Sequence, residues 1–160
     1  MPIIIKAIGQ IKPKSAEGTL KDHYKDQSAR MLSANGFGKL TEQDFTESQK
    51  KTVDARKGQE AEQLLKSIQA QDYVIALDER GKSLTSRQFS SQLSDKLQQS
   101  QNIYLLIGGP DGHGIEVLNR ANISLNLGSM TWPHRLARIL LFEQIYRALT
   151  IMTNHPYHRD

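Results

Sequence analysis

Hydrophobic positions along the chain fall into two periods that alternate. Pro2 to Gly9 is a β-branched run closed by glycine and predicts a buried strand. Ser15 to Asn35 follows with Leu20, Tyr24, Ala29 and Leu32 near a helical repeat, stopped by Asn35-Gly36. Gly38 to Phe45 predicts a second strand, weakened by the polar stretch Thr41 to Asp44. Thr46 to Lys57 is polar and clusters Lys50, Lys51, Arg56 and Lys57, which predicts a solvated loop with a phosphate contact as the alternative. A helical pattern resumes from Gly58 to Gln71 through Ala61, Leu64, Leu65 and Ile68. Asp72 to Asp78 is then a strand and Glu79 to Lys82 a turn. Thr85 with Gln88 forms a capping box for a helix through Phe89, Leu93 and Leu97.

The C-terminal part continues the alternation. Asn102 to Gly108 predicts a strand, Gly108 to Gly114 a glycine-rich turn, and a short helix and the strand Ile123 to Leu127 come next. After an irregular loop, Gly128 to Pro133, a long helix spans His134 to Thr153, with Thr131 as a cap and Pro133 in its first turn. Strands alternating with helices predict an α/β fold, a mainly parallel sheet flanked by helices. In the long helix Glu143, Arg147 and Thr150 form one narrow polar stripe and apolar residues fill most of the remaining circumference. Such a helix must be buried on most sides, which predicts a homodimer. The simplest account of Arg147 is an ion pair with Glu143, four residues earlier.

Composition narrows the function classes. At 160 residues the chain suits a single domain, 1–160. No apolar run approaches the roughly 20 residues that span a bilayer, which fits a cytoplasmic protein with no membrane partner. The absence of cysteine excludes thiolate chemistry and Cys-based metal sites. A net charge of +4 permits a polyanionic partner without demanding one. The cations are segregated: all twelve lysines precede Asn102, whereas the last 59 residues carry five arginines. Arginine suits sites where a planar fork grips an anion.

Ligands of open α/β sheets bind beyond the carboxyl ends of the strands, so the segments after Leu77, Ile107 and Leu127 are the first places for chemistry. The turn Gly108-Gly109-Pro110-Asp111-Gly112 fits neither the P-loop nor the Rossmann spacing, which disfavours a nucleoside triphosphate. Met130 and the sole tryptophan, Trp132, supply material for an apolar pocket wall. His155 and His158 are spaced for a metal, with His134 or His113 to help, but Pro156 prevents a regular helix between them, and no metal is expected. The rings and guanidinium of Asn154 to Asp160 suit anion or base recognition.

Together, Leu77 to Lys82 with Ser86 and Phe89, Ile107 to Gly112 (IGGPDG), Leu125 to His134 (LNLGSMTWPH), Glu143-Gln144, Tyr146 to Ala148 and the closing NHPYHRD resemble the RlmH family of SPOUT-class methyltransferases. The likeness runs nearly full length and is strongest from Leu77 onward. His113-Gly114, Gly128 and Trp132 depart from the commoner Leu-Ser, Ser and Leu. The resemblance implies a C-terminal trefoil knot over about residues 102–153 and a homodimer packed across it. It also implies S-adenosylmethionine as cofactor, with contacts at Leu77, Gly109, Leu127, Gly128, Ser129, Met130, Thr131 and Trp132. Family members methylate N3 of a pseudouridine in bacterial large-subunit ribosomal RNA, within an assembled ribosome. Pattern alone gives no knot, because knots are almost absent from proteins.

Transfer to N3 requires loss of its imide proton. His158 and His155 are candidate bases, since imidazole exchanges a proton near neutral pH. Arg147 and Arg159 suit stabilisation of the imide anion or a phosphate contact, and Tyr157 suits base stacking. The alternatives are a non-catalytic RNA- or ribosome-binding module on the same fold, or a methyltransferase for another RNA.

Overall fold

The computed structural model describes residues 2–160. Five parallel strands, β1 (Pro2–Ile8), β2 (Lys39–Phe45), β3 (Tyr73–Ser83), β4 (Ile103–Ile107) and β5 (Ile123–Asn126), form one sheet in the order β2-β1-β4-β3-β5. Helices α1 (Ala16–Ala34), α3 (Ser86–Gln98) and α5 (His134–Met152) cover one face; α2 (Val53–Leu65) and the short α4 (Ile115–Arg120) cover the other. Parallel strands covered on both faces are apolar on both sides, which is why β1 and β4 read as continuous runs, with Ile3, Ile5, Ile103 and Leu105 fully buried. Lys6 is the exception in β1. Its Nζ donates to the carbonyl oxygens of Leu64, at 2.9 Å, and Lys66, so it closes the end of α2.

Registry brings the strand ends level. Ile8 lies opposite Phe45, and Ala7 opposite Ile107, so residues 9–14, 46–52 and 108–114 share one edge of the sheet. The larger core lies between the sheet and α1, α3 and α5, where Leu141, Phe142, Ile145, Ala148 and Leu149 are all fully buried.

Several local expectations are corrected. Helix α2 starts at Val53, not Gly58, because Thr52 caps it by accepting from the amide of Ala55 at 3.2 Å. The polar segment is therefore partly helix. The expected turn at Glu79 to Lys82 is an excursion inside β3: Leu77 and Lys82 both pair with Leu125, with four residues looped between them. Gly81 lies so close to β5 that a Cβ would stand 2.6 Å from the Leu125 amide nitrogen, and no other residue fits there. Thr131 does not cap α5; Pro133 occupies that position, and no side chain caps the helix. The capping box at Thr85 and Gln88 is present with both bonds.

Candidate functional site

An open cavity of about 350 Å³ lies where β3 and β5 end, between the start of α3 and the middle of α5. Leu84, Phe89, Leu127, Trp132, Leu140 and Leu141 make its walls apolar, while Ser86 and Gln144 supply polar groups. Its rim is organised by Asn126. That side chain accepts from the Gly128 amide at 3.1 Å and the Ser83 hydroxyl at 2.9 Å, and donates to the Gly81 carbonyl at 2.8 Å. Gly128 sits at φ +117, a conformation that L side chains rarely adopt, so the loop leaves β5 at an angle only glycine takes readily.

The expected cofactor residues divide. Leu127, Gly128 and Trp132 line the cavity. Ser129, Met130 and Thr131 project from its lip into solvent, Met130 being 76% exposed. Leu77 and Gly109 stand apart from it. Leu77 is half-buried opposite Leu125, and Gly109 is packed where a Cβ would lie 3.1 Å from both Glu60 Oε2 and Ile8. Two buried polar atoms beside that turn, Glu60 Oε2 and His113 Nδ1, have no hydrogen-bond partner among the described residues. Burial holds His113 below the ordinary histidine range, and its Nε2 faces the Leu106 carbonyl at 3.2 Å.

Adjoining the cavity is a second cluster, built by the tail folding back on α5. The Glu143 carboxylate is its centre. Oε1 accepts from Arg147 Nε at 3.0 Å and Nη2 at 2.6 Å, and from the Tyr157 hydroxyl at 2.9 Å; Oε2 accepts from the Gln144 amide at 2.8 Å. Gln144 therefore joins the cavity to the tail. Arg147 also stacks over the Tyr157 ring, 4.9 Å from its centre, and Tyr146 packs against the same ring. Burial first, and then the Glu143 bond, push the Tyr157 phenol well above the usual tyrosine range.

The end of the tail is anchored separately. Arg147 Nη1 lies 3.2 Å from His158 Nδ1, His158 Nε2 lies 3.0 Å from Asp160 Oδ1, and Arg87 on α3 grips both Asp160 oxygens. Arg87 holds the Asp160 carboxyl far below the ordinary aspartate range. His155 and Arg159 are exposed; the Tyr157 amide donates to His155 Nδ1 at 3.2 Å. Thus Arg147, Tyr157 and His158 converge, and His155 and Arg159 remain at the surface. Among the described residues no three His, Asp or Glu side chains converge as a metal site would require. Asn126 and Arg87 were missed in the sequence, since Ser83 and Asp160, which mark them, lie 43 and 73 residues away and no spacing announces them.

An apolar cavity linked by adjacent helix residues to a cluster of paired charges and aromatic rings suits a bound organic cofactor beside a polar, aromatic acceptor. Comparison with known proteins bears on this geometry. A family model described as "Predicted SPOUT methyltransferase" matches residues 1–158. The chain belongs to the SPOUT methyltransferase family. Relatives named "Ribosomal RNA large subunit methyltransferase H" from Bartonella henselae and from Rhizobium leguminosarum bv. trifolii are each 42% identical over 160 residues, covering 99% of both chains. One from Allorhizobium ampelinum is 42% identical over 161 residues and covers both chains completely. As a SPOUT methyltransferase the chain is an enzyme, and the segments with the cavity and the tail cluster both fall within the matched region, except Arg159 and Asp160.

Proposed function

We propose that this enzyme transfers a methyl group from S-adenosylmethionine to N3 of a pseudouridine in large-subunit ribosomal RNA, within an assembled ribosome in the cytoplasm. Full-length similarity to proteins named for ribosomal RNA methylation supports the substrate. The observation that carries the reading is the Gln144–Glu143 bond, which sets the cavity directly beside the tail cluster.

The cavity fits the cofactor. Its size falls within the roughly 300–1,000 Å³ of small-molecule sites, and apolar walls with a few polar groups are what an adenosine and a short aliphatic chain require. Leu127, Gly128 and Trp132 would hold it, with Ser129, Met130 and Thr131 as the lip. Leu77, within β3, and Gly109, just beyond the neighbouring β4, are carried as contacts by the family resemblance. When bound, S-adenosylmethionine supplies both the methyl electrophile and its leaving group, so the protein's work is to align donor and acceptor.

The tail residues then divide the remaining work. N3 must lose its imide proton as the nitrogen–carbon bond forms. Both nitrogens of His158 are engaged, Nδ1 as acceptor from Arg147 and Nε2 as donor to Asp160, which suits positioning. His155 Nε2 has no partner among the described residues and is free to accept that proton. Arg147 carries charge toward a developing imide anion, Tyr157 offers a stacking surface, and exposed Arg159 suits a phosphate. The reading also takes the chain as one domain with a trefoil knot over about 102–153, a functional tail at 154–160, and a homodimer. Exposed Met130, Trp132 and Leu136 around the start of α5 support the dimer, being apolar surface that a second copy would cover.

Incubating the purified protein with S-adenosylmethionine and large subunits or whole ribosomes from a strain lacking the gene tests the proposal. Mass spectrometry of the ribosomal RNA should find one added methyl group on a pseudouridine. Cofactor binding by calorimetry without any RNA product would instead favour another RNA, and neither would favour a non-catalytic binding module.

A further inference from the structure

The stretch 46–57 carries four cations against two carboxylates, yet it is tightly ordered rather than a loose solvated loop. The Ser48 amide donates to buried Glu60 at 3.0 Å, its hydroxyl donates to Gln59, and the Lys50 amide donates to that hydroxyl at 3.3 Å. Arg56 completes the fastening. Its Nη1 donates to the carbonyls of Lys50 and Lys51, at 3.1 and 3.4 Å, while Nε and Nη2 grip Asp111 of the glycine-rich turn at 2.7 and 3.3 Å.

The lysines themselves are left over. Among the described residues, Lys50, Lys51 and Lys57 have no carboxylate within ion-pairing distance, whereas Arg56 is committed to Asp111. Lys50 and Lys51 are exposed. A backbone held rigid on the side facing the protein thus presents adjacent ammonium groups on the side facing water. Like charges placed together repel, and a polyanion relieves that repulsion. Rigidity matters too, because side chains on a fixed backbone lose less freedom when they bind.

Residues 46–52 follow β2 at the same sheet edge as the turn after β4, and Arg56 ties the two segments directly. We infer that Lys50 and Lys51, presented by this fastened loop, form a docking surface for the phosphodiester backbone of the substrate RNA, away from the reacting base. The inference rests on the reading of ribosomal RNA as substrate. Compact ammonium groups suit sequence-independent phosphate contacts, while the arginines and rings of the tail attend to the nucleotide itself.

The test compares wild type with Lys50→Gln/Lys51→Gln and with Lys66→Gln, an exposed lysine at the opposite sheet edge. Filter binding of a protein-free ribosomal RNA fragment and of assembled large subunits is measured across a salt series, beside calorimetry with S-adenosylmethionine. The double variant is expected to bind the RNA about tenfold more weakly and to lower the slope of log affinity against log salt by about two. Cofactor affinity and the Lys66→Gln control should be unchanged. Wild-type affinity and slope in the double variant would overturn the inference and leave the proposed function standing. A loss seen with subunits but not with protein-free RNA would also overturn it, assigning the lysines to a ribosomal protein. Failure of wild type to bind or methylate ribosomal RNA would overturn the substrate reading itself.

Discussion

Arg147 donates to His158, with Nη1 3.2 Å from Nδ1, so the ring nitrogen that would otherwise accept a proton is already filled. His158→Ala should therefore lower methylation by roughly tenfold at every pH, as loss of a positioning contact does, without moving the pH–rate profile. His158→Asn, which keeps an acceptor for Arg147, should retain more activity than the alanine variant. A profile that shifts in His158→Ala would make His158 the base.

Arg147→Lys should cost more than its conserved charge suggests. One ammonium cannot reproduce a fork that holds Glu143 through two nitrogens and His158 through the third. The expected result is a fall in kcat of about one to two orders of magnitude, with S-adenosylmethionine affinity in calorimetry close to wild type.

Tail attachment should depend on pH at both extremes. The Asp160 carboxyl is held below its unfolded value by Arg87, so its contribution is present above the unfolded aspartate range, near 4, and fades as pH falls through and below it. The Tyr157 phenol is raised, so its contribution is present below the unfolded tyrosine value, near 10, and is lost as pH rises beyond that. Hydrogen-exchange protection of the 155 and 157–160 amides, taken relative to the intrinsic rate at each pH, should be greatest between these limits. Asp160→Asn should remove the acidic limb alone.

A chain ending at Asn154 should fold and bind S-adenosylmethionine, because the cavity takes no residue from the tail. It should lose most RNA methylation. Mixing it with Gly128→Val, strained at its φ of +117, tests whether tails serve a partner's cavity. Recovered activity after subunit exchange means they do; none means each tail serves its own subunit, the arrangement in which it packs on its own α5.

Charge on α5 should separate folding from association. Leu141 is fully buried in the core, so Leu141→Glu should unfold the protein, whereas Leu136 is 41% exposed and Leu136→Glu should leave a folded monomer. Light scattering that shows an 18.1 kDa species for wild type at micromolar concentration would sink the dimer. In Gly109→Val the new methyls would meet Glu60 and Ile8 rather than the cavity, so the expected loss is one of stability, about 1–3 kcal/mol in urea unfolding.

The elements most legible in the sequence were those with a local cause. Strands β1, β3 and β4 and the capped α3 follow from apolar, largely β-branched runs and from Thr85 with Gln88, and the Glu143–Arg147 pair follows from helical spacing. Helix α2 began early because Thr52 caps a turn whose only large apolar residue, Val53, is 45% exposed and so left no period to read. Glu79 to Lys82 looked like a turn because it is polar and holds a glycine; only pairing with β5, some 40 residues on, makes it part of a strand. Arg138 resembled any surface arginine, yet it is 2% exposed, bonded to Asp44 at 2.8 Å and the Gly9 carbonyl at 3.1 Å. Such long-range pairings carry no signature in the residues between them.

Helix α5 is the final element, and it supplies Leu141, Phe142, Ile145, Ala148 and Leu149 to the larger core. During synthesis the part of the sheet face it covers therefore stays bare until residues 134–152 have been made. At roughly 5–20 residues per second, that leaves an apolar surface waiting for many seconds. β1 likewise waits for β4, about a hundred residues later, before its inner edge is paired. Until β4 and α5 arrive, the nascent chain thus carries bare apolar surface and an unpaired strand edge, the features that expose a folding chain to aggregation.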